Sequence, residues 1–493
     1  MLQNFVNIYS QPEQSFDGPG RSVPGWFCLV RVMSAIASVL IAIVVGLSSF
    51  WLGSNRPLAW SMNAVMVGGL LVFTCLALQL EARRHPALMI SKLSVPVVMF
   101  GLGLSWAGVQ ILPLGSSIAG HPAWQVAGEA LGRDIASSIS INPSETVWSI
   151  LRYLTAAAVL LSVYVLARSA RNAQTILRVF IILTGLAALY GLTRLSLSLD
   201  KILWFDEPDN GYLTSGFINR NSAATYFGMA SLASMGLAIQ HVSSVLQSTS
   251  HVSGREMARK LSLAMSGMLG FDLVLFVLML VSVLATGSRG GISFTVVAMF
   301  FMLLLYGVKT KIRSRSAGGG PAWVVSILAI TVLILGIFEL SGARLMGRLL
   351  NQGLETDSRF ETYARTWEAV RDYLYLGSGL GTFQDVFTAY RLELSPGRQV
   401  WDKAHNDYLE LLLGLGLPAA TLVLLGFASL FFKVTGGFFG RRRDTHYAAI
   451  AAAACVLIGL HSLVDFSLQI QANALAFALL LGLGLAQSWS TRH

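Results

Sequence analysis

The chain has 493 residues, 54% of them hydrophobic and only 12% charged, with a mean hydropathy of +0.63. Soluble domains carry about a quarter charged residues, so this composition excludes an ordinary soluble protein and points to a bilayer. The net charge of +10 then reads as basic loops on one membrane face rather than as a nucleic-acid surface.

The amino terminus, MLQNFVNIYSQPEQSFDGPG, is polar. It lacks a basic stretch ahead of an apolar run, so a cleavable signal peptide is not expected and the first spanning helix does the targeting. Apolar runs follow at 33–52, 58–80, 88–112, 148–167, 175–197, 222–245, 267–286, 291–308, 322–341, 408–433, 447–466 and 470–489. At roughly 20 apolar residues per crossing they predict about twelve transmembrane helices. The pairs around Arg289 and Asp465 are joined by short turns.

Loop charge sets the orientation. EARRH (81–85), ARSAR (167–171), REMARK (255–260), KTKIRSR (309–315) and GRRRD (440–444) all fall on one side of this count. Their Lys/Arg excess places that side, and both termini, in the cytoplasm. The expected organisation is a cytoplasmic tail (1–32), helices one to nine (33–341), a large outer loop (342–407), then the last three helices and a short tail (408–493). The outer loop alternates helix-like patches with turns and reads as a small ordered subdomain. No repeat of solenoid period is present, nor a matched pair of broken helices of the transporter kind. Cys28, Cys75 and Cys455 lie in or beside apolar segments, without metal-site spacing or an outer-loop pairing.

Candidate chemistry gathers on the outer side. Arg289 sits in TGSRGG between two apolar helices, and Arg359 in DSRF of the large loop. A guanidinium keeps its charge, and its planar fork suits two phosphate oxygens. The alternative is snorkelling, in which an arginine near a helix end only reaches for headgroups. Ser288 and the Gly290-Gly291 pair favour the functional reading, because they let backbone approach a ligand closely. Arg220 and Asn221, in GFINRN, are further candidates on the same face.

His405 stands where outer-loop polarity gives way to the helix beginning near Asp407. Its imidazole can take a proton from a hydroxyl at neutral pH, or simply make a structural hydrogen bond. Asn406 and Asp407 add polar groups able to fix a tautomer or a helix start. His461, deeper in a span, reads as a helix-to-helix hydrogen-bonder or a group supporting the site. GSGLGTF (377–383) has no preceding βαβ unit and reads as tight-turn geometry. DEPD (206–209) reads as a turn, and no Walker motif is present.

Four segments in order, GFINRNSAATYF (216–227), ATGSRGG (285–291), SRFETYARTWEAVRDYLYLGSGLGTF (358–383) and AHNDYLELLLGLGLP (404–418), together resemble the O-antigen ligase and polymerase superfamily of bacterial inner-membrane proteins. The first five helices match only in hydrophobicity. Leu374-Tyr375 stands where relatives often have proline before the glycine turn. The resemblance implies an all-α integral membrane protein of GT-C-like architecture, with a large periplasmic loop between helices nine and ten. It implies a glycosyltransferase that takes a glycan from an undecaprenyl-diphosphate donor. The acceptor would be a hydroxyl of lipid A-core, as in an O-antigen ligase, or of a growing glycan, as in a polymerase. Arg289 and Arg359 would hold the diphosphate and His405 would act on the incoming hydroxyl, with no cofactor and no metal. The site would face the periplasm. A transporter or flippase is the rival class, and it predicts ionisable residues along a path inside the bundle. A purely structural scaffold is the third.

Cysteine-accessibility mapping from the two sides of the membrane should label positions 289 and 405 from the same side. Labelling from opposite faces would remove the basis for a shared site.

Overall fold

The computed structural model describes residues 25–81, 90–113, 120–206, 211–248, 254–313, 359–391 and 401–490. The expected ninth span (322–341), the tail before residue 25 and outer-loop residues 342–358 and 392–400 lie outside the described residues, as do positions 207–209 of the DEPD turn. The described chain is helical apart from one antiparallel hairpin, β1 (Lys201–Ile202) with β2 (Phe205–Asp206).

In chain order the first helices are α1 (Gly25–Leu47), α2 (Pro57–Glu81), α3 (Ser94–Gln110), α4 (Ala123–Leu131) and α5 (Pro143–Leu166). Then come α6 (Ala170–Ser196), α7 (Arg220–Ser248), α8 (Gly254–Met265), α9 (Met268–Ala285) and α10 (Arg289–Arg313). The last are α11 (Arg359–Asp372), α12 (Phe383–Phe387), α13 (Asp407–Gly440), α14 (Thr445–His461) and α15 (Gln471–Ala486). Among the described residues, nine helices are long and apolar enough to cross a membrane, and α14 and α15 are shorter apolar helices. Eleven of the expected spans therefore have a helix, two of them shorter than a full crossing.

Burial sorts these helices. Val65 and Val72 on α2, Val274 on α9 and Phe432 on α13 are exposed, as side chains facing lipid should be. Helix α7 is the reverse: nearly all of it is enclosed by other helices, with Ser222, Thr225, Ser231 and Ser234 buried. The hydroxyls of Ser231 and Ser234 donate to carbonyls one turn back, at 2.9 and 3.0 Å, so neither is left unsatisfied in the apolar interior. The stretch Ala448–Ala454 of α14, alanine except at Ile450, is buried, which lets α14 pack closely against its neighbours as small residues do in membranes.

The two ends of the bundle differ in charge. At one end, cations cap the exposed carbonyls of helix C-termini, where the macrodipole is negative. Arg168 donates to Ala486 O at 2.8 Å, Lys309 to Phe438 O and to Arg441 O (3.0 Å), and Arg441 to Trp489 O. Buried near that end, Asp272 pairs with Arg178, and His241 Nδ1 lies 2.8 Å from its carboxylate. This joins α6, α7 and α9, and removing one partner of such a pair costs about 3–5 kcal/mol. The opposite end carries the N-termini of α7, α10, α11 and α13.

Helix α13 departs from the continuous span expected at 408–433. It is broken at Gly416 (φ 75°, ψ 163°), just ahead of Pro418. A break frees backbone carbonyls, and in a bilayer each must find a protein partner. The glycine turn supplies them: Ser378 N donates to Leu413 O (2.9 Å) and Gly379 N to Gly414 O (3.0 Å). Side chains of α3 add Gln110 Nε2 to Gly414 O (2.8 Å) and Trp106 Nε1 to Leu415 O (3.0 Å). In return Leu417 N donates to Leu374 O at 2.7 Å. Gly377, Gly379 and Gly381 have φ of 71°, 109° and 89°, which explains the glycine spacing of the motif. Beside this junction the described part of the outer loop, α11 and α12, builds a small apolar cluster of Ala369, Val370, Phe383, Val386 and Phe387 against Leu413.

A Cβ at Gly377 would lie 2.3 Å from Gly414 O, whereas one at Gly69 would meet no atom within 4 Å. Gly377→Ala should therefore cost about 2 kcal/mol or more, from left-handed strain and the backbone clash. Gly69→Ala should be neutral. Thermal unfolding in detergent checks both.

Candidate active site

The junction before α10 is built by local hydrogen bonding. Gly287 turns the chain with φ 60°, and Ser288 Oγ accepts from Gly291 N at 3.1 Å, a serine cap on the first turn. The same hydroxyl donates to Asn221 Oδ1 at 2.8 Å, tying α10 to the start of α7. The Arg220 guanidinium lies 4.5 Å from the ring centroid of Tyr212, and its Nη1 would be 3.9 Å from a Cβ at Gly287. Arg220 and Asn221 thus flank the turn that carries Arg289, whose side chain is exposed.

The glycines after Arg289 serve a different purpose from the one expected. A Cβ at Gly291 would meet Ala224 Cβ at 2.3 Å, and one at Gly290 would meet Val464 at 3.2 Å and His461 at 3.6 Å. They make room for neighbouring protein, because α10 begins wedged between α7 and the turn after α14. Arg289 is set against that turn as a result.

The turn also holds the histidine. His405 Nδ1 lies 3.2 Å from Asp465 Oδ1, with the imidazole 25% and the carboxylate 1% exposed. The ring meets Phe466 edge-on at 4.9 Å between centroids. His405 adopts φ 54°, a left-handed conformation that costs a non-glycine residue about 1–2 kcal/mol. Its surroundings impose this shape. Tyr363 Oη on α11 donates to His405 O at 3.0 Å. Asn406 caps α13, accepting from Tyr408 N and Leu409 N at 3.0 Å each, and donates to Leu463 O at 3.0 Å.

Asp407 accepts from Ser462 Oγ at 2.8 Å and from Gln469 Nε2 at 3.0 Å. His461 is a helix-to-helix hydrogen-bonder, its Nδ1 3.2 Å from Thr225 Oγ1 and 3.1 Å from Ser467 Oγ. Arg359 is the first residue of α11, one turn before Tyr363; its side chain lies outside the described residues.

The turn 462–470 is therefore the hub. It contacts Gly290 through Val464, holds His405 through Asp465 and receives α13 through Ser462 and Gln469. Asp465, Tyr363 and Thr225 have no place among the residues singled out by sequence. Asp465 had one available signal, an acidic residue closing an apolar run; Tyr363 and Thr225 had none.

Burial alone would raise the Asp465 carboxyl pKa. The His405 hydrogen bond, the charges of His461 and His405 and the Phe466 N–H outweigh it and hold the group below the usual carboxylate range. Chemically, the site offers a carboxylate orienting an imidazole, beside helix N-termini that favour anions, with Gly290, next to Arg289, packed on the same turn.

A carboxyl depressed in the folded state stabilises the fold fully above its unfolded pKa, about 3.9, and loses that contribution as pH falls through the lower folded value. From this group, stability should be flat between pH 5 and 8 and decline only below about pH 4. Asp465→Asn should remove that share of the acid decline in melts recorded against pH.

Residues 274–424 match the family model described as O-antigen ligase. The match runs from within α9 into α13 and includes Arg289, Arg359 and His405, whereas Arg220, Asn221, Asp465 and His461 fall outside it. No curated protein matches the chain.

Proposed function

Proceeding from the O-antigen ligase domain that this membrane protein carries, we propose that it transfers a glycan from an undecaprenyl-diphosphate donor to an acceptor hydroxyl. The reaction takes place at the periplasmic face of the bacterial inner membrane, with the lipid A-core as acceptor. The observation that carries the reading is the His405–Asp465 pair on the same turn that Gly290, next to Arg289, packs against.

Arg289 and Arg359 grip the diphosphate, each fork matching two oxygens, and Arg220 adds charge beside them. With Nδ1–H directed at Asp465, the histidine keeps Nε2 as a proton acceptor. The acceptor hydroxyl gives its proton to His405 Nε2 while its oxygen bonds to the anomeric carbon. The bond from that carbon to the diphosphate oxygen breaks, and its electron pair leaves with the lipid diphosphate. The guanidinium groups stabilise the charge gathering on the leaving oxygen. Asn406 and Asp407 act indirectly, setting where α13 begins and hence where His405 stands.

The ligase reading is preferred because AHNDYLELLLGLGLP is the ligase-like element of the chain. A deletion strain separates the acceptors: loss of a ligase leaves uncapped core and long lipid-linked chains, whereas loss of a polymerase leaves single lipid-linked units.

In membranes with matched expression, Arg289→Ala, Arg359→Ala and His405→Ala should each reduce glycan transfer about 100-fold or more. Arg→Lys at either arginine should fail as well, because a point charge does not reproduce the fork. Wild-type transfer by all three alanine variants would end the proposal.

A further inference from the structure

Helix α8, GREMARKLSLAM, links the spanning helices α7 and α9. Because α7 begins at the opposite end of the bundle, α8 lies at the basic end, where Arg168, Lys309 and Arg441 also sit. Its sequence has two sides. Met257, Leu261 and Met265 recur every fourth residue and fall along one line of the helix, flanked by Ala258 and Ala264. Arg255, Glu256, Arg259, Lys260 and Ser262 occupy the other side, interrupted by Leu263. No residue of α8 is buried, and Met257, Leu261 and Met265 are all exposed. Its neighbours in the described chain therefore cover neither side.

The corner after α8 keeps it against the membrane. Gly267, with φ −113° and ψ −138°, ends the helical path. Around it Gly267 N donates to Ala264 O at 3.1 Å, and Phe271 N donates to Gly267 O at 3.2 Å. The bend is tight enough that a Cβ at Gly270 would collide with Met265 O. Helix α9 then has 18 residues, a rise of about 27 Å against a hydrocarbon core of about 30 Å. A span of that length starts at the hydrocarbon boundary, and α8 starts with it. Met268 and Phe271, in the first turn of α9, are already exposed as lipid-facing side chains should be. The apolar line of α8 ends three residues before them, at Met265.

We propose that α8 is a membrane-surface element that binds anionic phospholipid in the leaflet at the basic end of the bundle. Met257, Leu261 and Met265 enter the boundary between headgroups and acyl chains, and Arg255, Arg259 and Lys260 lie among the headgroups. Glu256 accepts from Arg259 at 2.8 and 3.0 Å, but three basic residues against one acidic one leave the polar side positive. An amphipathic helix of this kind binds a bilayer through its apolar area together with attraction to anionic lipid. A second copy would bring the same positive charge to the contact, whereas the leaflet brings the opposite charge and is already adjacent. The docked helix fixes the depth at which α9 enters the bilayer, and α9 ends at the turn that carries Arg289.

The test uses the full chain carrying Cys28→Ser, Cys75→Ser and Cys455→Ser, in phosphatidylcholine nanodiscs that hold a fixed share of nitroxide-labelled lipid. A fluorophore is attached at Leu261→Cys or Met265→Cys on the apolar side, or at Ser262→Cys on the polar side. A nitroxide high on the acyl chain should quench positions 261 and 265 about threefold more than 262, and aqueous iodide should give the reverse order. Nitroxide-labelled phosphatidylglycerol should quench position 261 about twofold more than the phosphatidylcholine analogue at equal share. That ratio should fall to about one in the Arg255→Gln/Arg259→Gln/Lys260→Gln variant, and with the native polar side at about 1 M salt. Two probe positions on the apolar side keep the test decisive if one variant does not fold. Iodide reaching 261, 265 and 262 alike, with no quenching by lipid, overturns the proposal. Shielding of 261 and 265 from lipid and iodide together overturns it as well, because protein then covers the face. That protein is a second copy if the shielding vanishes in nanodiscs holding one chain, and another segment of the same chain if it persists. Equal quenching by the two lipids with the native polar side overturns the anionic assignment.

Discussion

A bilayer offers backbone no water, so a chain that leaves the helical state within it must bring its own hydrogen-bond partners. That constraint organises this protein. The break at Gly416 in α13 persists because the 374–382 turn and the side chains of Trp106 and Gln110 take up the freed backbone groups. The break divides α13 into a long lower segment and a short upper one, and the upper one begins at the capped residue after His405. The glycine motif and the histidine motif, 20 or more positions apart in sequence, are two halves of one joint.

The same economy governs charge. Cations at the basic end direct their hydrogen bonds at helix C-termini and so hold the ends of α13 and α15 in place. At the other end the helices present N-termini, and arginine, asparagine and histidine gather there together with the carboxylates of Asp407 and Asp465. The helix N-termini there add positive potential beside those carboxylates. The buried ionisable group Asp272 belongs to the basic end and is tied to Arg178 and His241.

The turn 462–470 joins the elements of the site. It is short, its neighbours α14 and α15 are the two helices below spanning length, and its polar residues point in several directions at once. Asp465 is directed at His405, Ser462 and Gln469 at Asp407, and Ser467 at His461. Holding His405 in a left-handed conformation requires several such partners, and strain of this kind survives only where the surroundings over-determine it.

Hydrophobicity and loop charge by themselves determined that this is a helical membrane protein, where most of its helices run, and that Arg220, Arg289 and His405 fall at helix ends. They could do so because a run of about 20 apolar residues has few other uses and because polar chain must sit between such runs. The partners came only with the tertiary structure. Asp465 stands 60 positions from His405 and Asn221 stands 67 from Ser288, and no local pattern encodes those distances. Gly290 and Gly291 show the same limit: a glycine pair next to an arginine looks the same in sequence whether it admits a ligand or a neighbouring helix, and helix packing decided for the helix. Side-chain contacts across a bundle follow from how the helices pack, which the periodicity of any one segment does not contain.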